Sequence, residues 1–327
     1  MNAPLVSVIV PIYGVERYIE QCVRTLMEQT LRDVEYVFVD DCTPDNSMEV
    51  LWRVLEDYPD RKGQVRVLHN EKNQGLPLTR RVGLKECTGE YIIQVDSDDY
   101  VSPDYLEKLY TKASKEQADI VWCDFYQQQG LQWINSKQAP YGDLSVDSEI
   151  RSLLLSRRQG ALWNHLVRRQ LYNAIVYFPT HNMVEDLTVL IQMYTAAHRL
   201  AYVAEPLYYY RYNETSLSHA EGAEQDKRLI KQMLDMEANV NLMETFFKEQ
   251  SGGGNKQLRN EFVFRKFFNK RWVLPALHSS RDCRLWRHCH ADINVAIYFN
   301  PYIPLKQKFT AMLVQCGVYP WVKRVVS

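Results

Sequence analysis

Three carboxylates stand within four positions in the segment Asp96-Ser97-Asp98-Asp99. Side chains of like charge that lie this close repel one another, so the cluster favours a cation as its partner. A hard divalent ion such as Mg²⁺ or Mn²⁺ takes oxygen ligands, and proteins typically hold it with one or two carboxylates together with substrate phosphates. The cluster therefore predicts a metal-assisted reaction on a phosphate ester. The alternative is that Asp98 or Asp99 only caps the helix that follows.

Basic residues that could also meet such phosphates lie upstream, at Arg80 and Arg81. Arginine can give two parallel N–H donors to phosphate oxygens, although an exposed helix position explains either residue equally well. No Gly-x-Gly-x-x-Gly follows the first predicted strand, and no Gly-x-x-x-x-Gly-Lys-Ser/Thr occurs in the chain. A dinucleotide-dependent dehydrogenase and a P-loop kinase are therefore disfavoured.

The elements that must position these residues form a repeating pattern. Over the first 125 residues, short β-branched runs alternate with helical periodicity, which is typical of βαβ units in a mostly parallel sheet. Asp40-Asp41 follows the second predicted strand, Asn73-Gln74-Gly75 the third and Asp96 the fourth. Ligands of such sheets bind beyond the carboxyl ends of the strands, so these loops are expected to meet at one edge. Helices are predicted further on, over residues 150–172, 186–198 and 225–248.

Four ordered motifs carry a family resemblance. They are Val6-Ser7-Val8-Ile9-Val10-Pro11-Ile12-Tyr13, Val39-Asp40-Asp41-Cys42-Thr43-Pro44-Asp45, Asn73-Gln74-Gly75 with Arg80, and Gly89-Glu90-Tyr91-Ile92 leading to Asp96-Ser97-Asp98-Asp99. Together they resemble glycosyltransferase family 2, the inverting sugar transferases of GT-A fold. A weaker match continues through Trp163-Asn164, Glu185-Asp186 and Tyr208-Tyr209-Tyr210-Arg211. This later part looks like the bacterial members that build capsules, exopolysaccharides and lipopolysaccharide chains.

The resemblance implies an α/β fold of GT-A type, with a Rossmann-like, mostly parallel sheet flanked by helices and a helical region after it. Residues 1–220 would form the GT-A domain, with a nucleotide-binding half over 1–125 and an acceptor-binding half over 126–220. Residues 221–327 would form the helical, basic C-terminal region. The implied donor is a nucleotide sugar, and the implied acceptor is a glycan or a lipid-linked glycan.

The family's base pocket can be carried over residue by residue. The resemblance implies that Pro11 and Tyr13 line this pocket and that Asp41 accepts a hydrogen bond from uracil. The resemblance therefore implies a UDP-linked donor. One position in this region departs from the family pattern, because Gly14 stands where the family usually has Asn.

The diphosphate site follows in the same way. The resemblance implies that Arg80 lies near the nucleotide, that Asp96 contacts the ribose or the metal, and that Asp98 ligates the Mn²⁺ or Mg²⁺ that bridges the diphosphate. His219 is a further candidate to close over the diphosphate or to ligate the metal. Arg81 stands where the family usually has Asn after the arginine.

The catalytic base is matched by Asp186, with Glu185 as the nearby substitute. An acceptor hydroxyl has too high a pKa to attack unaided, so a carboxylate must take its proton as the new bond forms. A single displacement inverts the anomeric centre. The alternative for Glu185-Asp186 is an acidic pair at a helix N-terminus, favoured by the helix dipole.

Composition sets outer limits on the function. With 327 residues, of which 46% are hydrophobic and 24% charged, the chain suits a packed globular protein of about two domains. No apolar run reaches the ~18 residues that span a bilayer, and the first residues lack the basic segment of a cleavable signal. The seven cysteines include no Cys-x-x-Cys pair. We therefore expect a cytoplasmic protein with reduced thiols.

The C-terminal region is basic, with 13 Lys and Arg against 3 Asp and Glu in residues 256–327. It also carries many aromatic residues, and this mixture favours an anionic membrane surface. We therefore expect a peripheral protein on the inner face of the cell membrane, close to a lipid-linked acceptor. Packing against the catalytic domain or a second subunit, giving an oligomer, is a strong alternative. Nucleic-acid binding through this region is a weaker one.

Two other functions compete with sugar transfer. A sugar-phosphate nucleotidyltransferase shares the general fold, but it needs a Gly-rich, basic phosphate loop after the first strand, which Tyr13-Gly14-Val15-Glu16-Arg17 does not supply. A catalytically degenerate scaffold would bind nucleotide sugar without turnover. The presence of both Asp98 and Asp186 argues against this scaffold.

Overall fold

The computed structural model describes residues 3–213, 225–250 and 258–326. Within these ranges the chain forms one sheet of nine strands and twelve α-helices. The strands are β1 (Val6–Ile12), β2 (Val34–Asp40), β3 (Val65–His69), β4 (Tyr91–Gln94), β5 (Tyr100–Val101), β6 (Ile120–Gln129), β7 (Gln132–Ser136), β8 (His165–Arg168) and β9 (Leu200–Tyr210). The helices are α1 (Ile19–Met27), α2 (Ser47–Glu56), α3 (Leu76–Glu86), α4 (Tyr105–Glu116), α5 (Val146–Leu154), α6 (Glu185–Ala196), α7 (Gln225–Gln250), α8 (Arg259–Trp272), α9 (Ser280–His288), α10 (Ala296–Phe299), α11 (Leu305–Gln315) and α12 (Tyr319–Val326).

The sheet runs in the order β3-β2-β1-β4-β8-β6-β9-β5, and β7 pairs with β6. The first four strands are parallel, as the alternating pattern predicts. Beyond them the sheet is mixed, because β8 runs antiparallel to both β4 and β6, while β9 runs parallel to β6. From β1 the chain adds β2 and β3 on one side and β4 on the other. The carboxyl ends of β1 and β4 therefore border a crevice that is open to a ligand.

Helices cover both faces of the sheet. All seven residues of β1 are buried, and their side chains alternate between two cores. Val8 and Val10 belong to the core shared with α1, α2 and α4, whereas Ile9 belongs to the core shared with α5, α6 and α7. A strand buried on both faces is expected to be continuously apolar, which is the pattern that the sequence has here.

The predicted helix over residues 150–172 is wrong for most of its length. Only α5, which ends at Leu154, is α-helical, and β8 occupies the middle of the sheet. Leu166 and Val167 of β8 are fully buried between β4 and β6. A short apolar run does not distinguish a buried strand from a buried helix by periodicity, so only the pairing partners decide this element.

The C-terminal helices have a core of their own. Phe267 from α8, Trp286 from α9 and Val314 from α11 pack in this core. The Lys270 side chain is buried there, where its ammonium donates to the Cys289 carbonyl at 2.7 Å and lies over the Trp286 ring. Burial lowers the pKa of Lys270 to about 8. In the described part of the chain, no helix combines the length and the apolar character needed to cross a membrane.

Candidate active site

One cavity of about 980 Å³ lies at the carboxyl ends of β1, β2 and β4. The predicted site residues that line it are Pro11, Tyr13, Asp41, Arg80, Asp96, Asp98 and Asp186. They come from five separate stretches of sequence, so the fold brings together residues predicted from the strand ends and residues implied by the family resemblance. His219 lies outside the described residues.

One end of the cavity is built around Asp41, which follows β2. Its carboxylate is buried and accepts hydrogen bonds from the amide of Asn70 at 2.8 Å and from the backbone N–H groups of Gln74 and Gly75, each at 2.9 Å. A carboxylate offers about four lone-pair sites, so three are used to hold the loop before α3. One site is left for a donor in the cavity. Tyr13 is half exposed at the same end.

The two departures from the family pattern have separate explanations. Gly14 has a φ of +68°, a left-handed conformation in which Gly is the most tolerant residue and Asn is the next most frequent. Its N–H donates to the Thr43 hydroxyl at 2.9 Å. Arg81 does not line the cavity, and its guanidinium lies 4.9 Å from the centre of the Phe178 ring. Gly14 therefore suits the left-handed backbone conformation at this position. Arg81 is not part of the cavity lining.

Asp99 holds the acidic loop after β4 in place through buried hydrogen bonds. It is fully buried and accepts hydrogen bonds from the Tyr208 hydroxyl at 2.8 Å and from the Arg211 N–H at 2.7 Å. The same Tyr208 hydroxyl accepts a hydrogen bond from the Asp96 N–H at 3.2 Å. The alternative that Asp98 or Asp99 caps the next helix is wrong, because α4 begins at Tyr105 and residue 104 is its N-cap.

Asp98 borders the cavity and accepts a hydrogen bond from the Asn213 amide at 2.9 Å. Burial and repulsion from Asp96 raise the pKa of Asp98 above its usual value. A carboxylate whose charge is disfavoured in this way at the wall of a cavity is stabilised by a nearby cation. This is the electrostatic condition expected of a metal site.

Arg80 is buried at the centre of three carboxylates, with 5% of its side chain exposed. One terminal nitrogen donates to Asp96 at 2.7 Å, and the other contacts Glu185 at 3.2 Å and also Asp186. Burial lowers the pKa of Arg80, but the three carboxylates raise it more, so it lies above its ordinary value. Arg80 therefore links the acidic loop after β4 to the acidic pair at the start of α6.

Asp186 lies in the first turn of α6, as the alternative interpretation of an acidic helix start also requires. One carboxylate oxygen contacts Arg80, and the other accepts a hydrogen bond from the Leu162 N–H at 3.0 Å. Val184, just before the helix, has a φ of +68°, a conformation that costs a β-branched residue about 1–3 kcal/mol. Burial raises the pKa of Asp186, Arg80 lowers it and Asp96 raises it, and the net shift is upward.

The model of the family described as "Glycosyl transferase family 2" matches residues 7–193. This range contains all but the first residue of β1, the acidic loop after β4 and most of α6.

The chain belongs to glycosyl transferase family 2.

A curated relative agrees with this assignment, and solved structures resemble the fold. The uncharacterized glycosyltransferase EpsJ of Bacillus subtilis is 36% identical over 228 residues, which is 66% of this chain and 63% of EpsJ. The chain thus spans less than two thirds of that relative. TarS of Staphylococcus aureus in complex with UDP-GlcNAc has a TM-score of 0.59 at 18% identity, covering 98% of this chain and 92% of that one. The mannosyltransferase PcManGT of Pyrobaculum calidifontis, with GDP-Man and Mn²⁺, has a TM-score of 0.57 at 14% identity, covering 99% and 88%.

These likenesses confirm the predicted fold of this family 2 chain. The mixed, curled sheet with flanking helices resembles the GT-A fold of TarS, and the likeness extends over the helical C-terminal region as well.

The donor set of this family 2 site fits a divalent cation. Among the described residues, no group of three or more His, Cys, Asp and Glu side chains converges on one point. Asp96 and Asp98 both line the cavity, and Mg²⁺ or Mn²⁺ is typically held by one or two carboxylates with the remaining positions filled by water and substrate phosphates. These two residues are therefore the ones that would hold the metal.

Sequence reasoning missed one wall of the cavity. Four residues of α8 line it, namely Arg265, Phe268, Asn269 and Trp272. Their spacing of three, four and seven positions marks one face of a helix and is readable in the sequence. Nothing in that spacing indicates that the face turns toward the strand ends more than 150 residues away, so only the packing of α8 reveals it.

Proposed function

We propose that this chain is an inverting, metal-dependent glycosyltransferase that uses a nucleotide sugar, with UDP as the nucleotide. The acceptor is a glycan or a lipid-linked glycan, and the process is the synthesis of a bacterial surface polysaccharide. One observation carries the proposal: Arg80 forms ion pairs with Asp96, a proposed metal ligand, and with both acids of the pair Glu185-Asp186, all at one cavity. A transferase needs charge stabilisation for the leaving diphosphate and a base for the attacking hydroxyl at such close quarters.

The uridine proposal rests on Asp41. Asp41 lines the cavity together with Pro11 and Tyr13, and its three hydrogen bonds leave one acceptor site, for which an imide N–H of uracil is a suitable donor. TarS was solved with UDP-GlcNAc and PcManGT with GDP-Man, so the GT-A fold accepts either base. The two nucleotides must therefore be compared directly.

The two terminal nitrogens of Arg80 contact carboxylates with different proposed roles. Asp96 and Asp98 would hold Mn²⁺ or Mg²⁺, which when bound supplies positive charge to the departing diphosphate. Asp186 accepts the proton of the acceptor hydroxyl while the hydroxyl oxygen attacks the anomeric carbon. The bond between that carbon and the diphosphate oxygen breaks in the same displacement, so the configuration inverts.

The donor site is tested by titration calorimetry of UDP with Mn²⁺ or Mg²⁺ and in metal-free buffer. We expect metal-dependent binding to the unmodified chain and a loss of at least about tenfold in affinity for Asp98→Ala, since 1.4 kcal/mol corresponds to tenfold. Asp104→Ala is the matched control, because the Asp104 carboxylate pairs with Lys108 away from the cavity. This control is expected to bind as the unmodified chain does.

Other outcomes of this titration have distinct meanings. Binding of GDP but not UDP would reject the uridine proposal and keep the transferase. Metal-independent binding would reject the metal site. Absence of any nucleotide binding would overturn the proposed function.

A second element of the proposal is contact with an anionic membrane surface. On α11, Leu305 and Phe309 are 82% and 57% exposed, and Met312, which continues the same helix face, is also exposed. Phe299, at the end of α10, is 82% exposed as well. Lys306 and Lys308 on α11 supply the charge that an anionic lipid headgroup attracts.

Flotation with anionic liposomes tests this surface. We expect the double variant Leu305→Ser/Phe309→Ser to float at least about tenfold less than the unmodified chain, because each side chain loses about 1.5–3 kcal/mol of burial in lipid. The control is Val176→Ser, which removes an exposed apolar side chain elsewhere, and it is expected to float normally. Equal flotation of the double variant and the unmodified chain would exclude this surface as the membrane contact.

A further inference from the structure

One wall of the cavity is formed by the face of α8 that carries Arg265, Phe268, Asn269 and Trp272, here called the α8 face. The nucleotide, the metal and the base of the proposed reaction occupy the strand ends and use none of these residues. Trp272 is fixed in place by a hydrogen bond from its indole N–H to Gln232 at 3.0 Å. The α8 face is therefore a cavity wall to which the proposed donor chemistry assigns no role.

Three polar atoms of the α8 face lack hydrogen-bond partners within the described residues. Asn269 has no solvent exposure, yet neither its amide nitrogen nor its carbonyl oxygen makes a hydrogen bond. The Nε of Arg265 is also buried without a partner, although one terminal nitrogen donates to the Ser156 hydroxyl at 2.8 Å. Each such unmade bond costs about 1–3 kcal/mol, so three of them make this cavity wall polar and incompletely hydrogen-bonded.

Positive charge without a counter-ion accumulates at the same wall. The cavity is also lined by Lys137 and by Arg157, which follows the serine that Arg265 contacts. No described carboxylate forms an ion pair with Arg157, Lys137 or Arg265. Arg158, by contrast, is paired with Glu149 at 3.1 Å. Burial lowers the pKa of Arg265 to about 10, which leaves it charged at neutral pH. The cavity lining thus contains carboxylates around Arg80 and, separately, cations that no described carboxylate pairs with.

We infer that the α8 face and Arg157 form the acceptor subsite, and that the acceptor carries an anionic group, phosphate or carboxylate, close to the hydroxyl that is glycosylated. Guanidinium groups bind both anions with paired N–H donors. Phe268 and Trp272 line the cavity and offer apolar surface to a sugar ring. An uncharged acceptor would leave Arg157 and Arg265 unpaired.

This inference rests on the proposed function, because the subsite is assigned to the acceptor of that reaction. Anion binding itself can be measured without nucleotide. The probes are glycerol 3-phosphate and glucuronate, with glycerol and glucose as their uncharged counterparts. Titrations use the full chain in metal-free buffer, so that phosphate does not enter through a metal, and they follow tryptophan fluorescence together with heat.

We expect saturable binding of at least one anion and of neither uncharged counterpart. Arg157→Gln, at an exposed position, is expected to weaken binding at least about tenfold, and Arg265→Gln likewise. Arg259→Gln, an exposed arginine in the first turn of α8, is the control and is expected to bind as the unmodified chain does. A preference for glycerol 3-phosphate or for glucuronate distinguishes a phosphate-bearing acceptor from a uronate-bearing one.

Two results would overturn the inference: no saturable binding of either anion, or unchanged binding by both Arg157→Gln and Arg265→Gln. UDP calorimetry on Arg157→Gln separates this failure from a failure of the proposed function. Intact UDP binding with anion binding that ignores both arginines rejects only the subsite. Absent UDP binding in the unmodified chain rejects the transferase, whatever the anions do.

Discussion

Asp186→Asn is expected to lower the rate of sugar transfer by about 10²–10⁴-fold, the usual contribution of a general base. Asparagine keeps the shape of the side chain and can still accept the Leu162 N–H, but it cannot take the proton of the acceptor. The measurement is release of UDP from UDP-sugars, screened for a donor that turns over, with either water or a glycan as acceptor. UDP binding is expected to stay within a few-fold of the unmodified chain.

Glu185→Gln is the informative comparison, because Glu185 shares the same arginine but does not receive the Leu162 hydrogen bond. If Glu185→Gln is the inactive variant and Asp186→Asn is not, the roles of the two acids are reversed. Full turnover by both variants would remove the acid pair from the mechanism. Intact UDP binding without turnover by the unmodified chain would favour the scaffold alternative.

The pH dependence of turnover carries the same information. Burial raises the pKa of Asp186 above its usual value, against the opposing effect of Arg80. A base works only when unprotonated, so kcat/KM is expected to fall as the pH decreases through a pKa above about 4, the ordinary value for Asp. A rate that stays constant down to pH 4 would contradict the assignment.

Arg80→Met is expected to lower the free energy of unfolding by about 3–5 kcal/mol and to abolish turnover. The variant leaves Asp96, Glu185 and Asp186 buried without the cation that all three contact, and breaking a buried ion pair from one side costs about this much. Urea denaturation measures the loss. Arg81→Met is the matched control, since the neighbouring Arg81 is exposed and packs on Phe178, so we expect a change of less than about 1 kcal/mol.

The destabilisation by Arg80→Met is expected to depend on pH with a definite sign. Burial already raises the folded-state pKa of Glu185 and of Asp186, and removing Arg80 raises both further. A group whose pKa is higher in the folded state supports stability fully below its unfolded pKa, about 4, and this support is lost as the pH rises through the folded pKa. The deficit of the variant should therefore be small near pH 4 and large near pH 8. A deficit independent of pH would mean that Glu185 and Asp186 do not depend on Arg80 for their charge.

Local sequence predicts the first half of this fold well. The β-branched runs predict the parallel strands β1 to β4. The acidic loop is predicted at the carboxyl end of a strand because each strand of a βαβ unit is followed by a loop that leads to the next helix. The strand β8 could not be predicted in the same way. Its four residues, with Leu166 and Val167 at their centre, become a strand only because β4 and β6 flank them.

The sequence by itself determined which carboxylates could do the chemistry, since Asp96, Asp98 and Asp186 are recognised by residue type and by motif order. Only the tertiary structure decided how they cooperate. Arg80 and Asp186 are 106 positions apart, and their contact depends on how α3 and α6 pack against the sheet. The α8 face reaches the cavity for the same reason. Residue types and short spacings are local properties of a chain, whereas charge compensation and the walls of a cavity arise from contacts between elements that are distant in sequence.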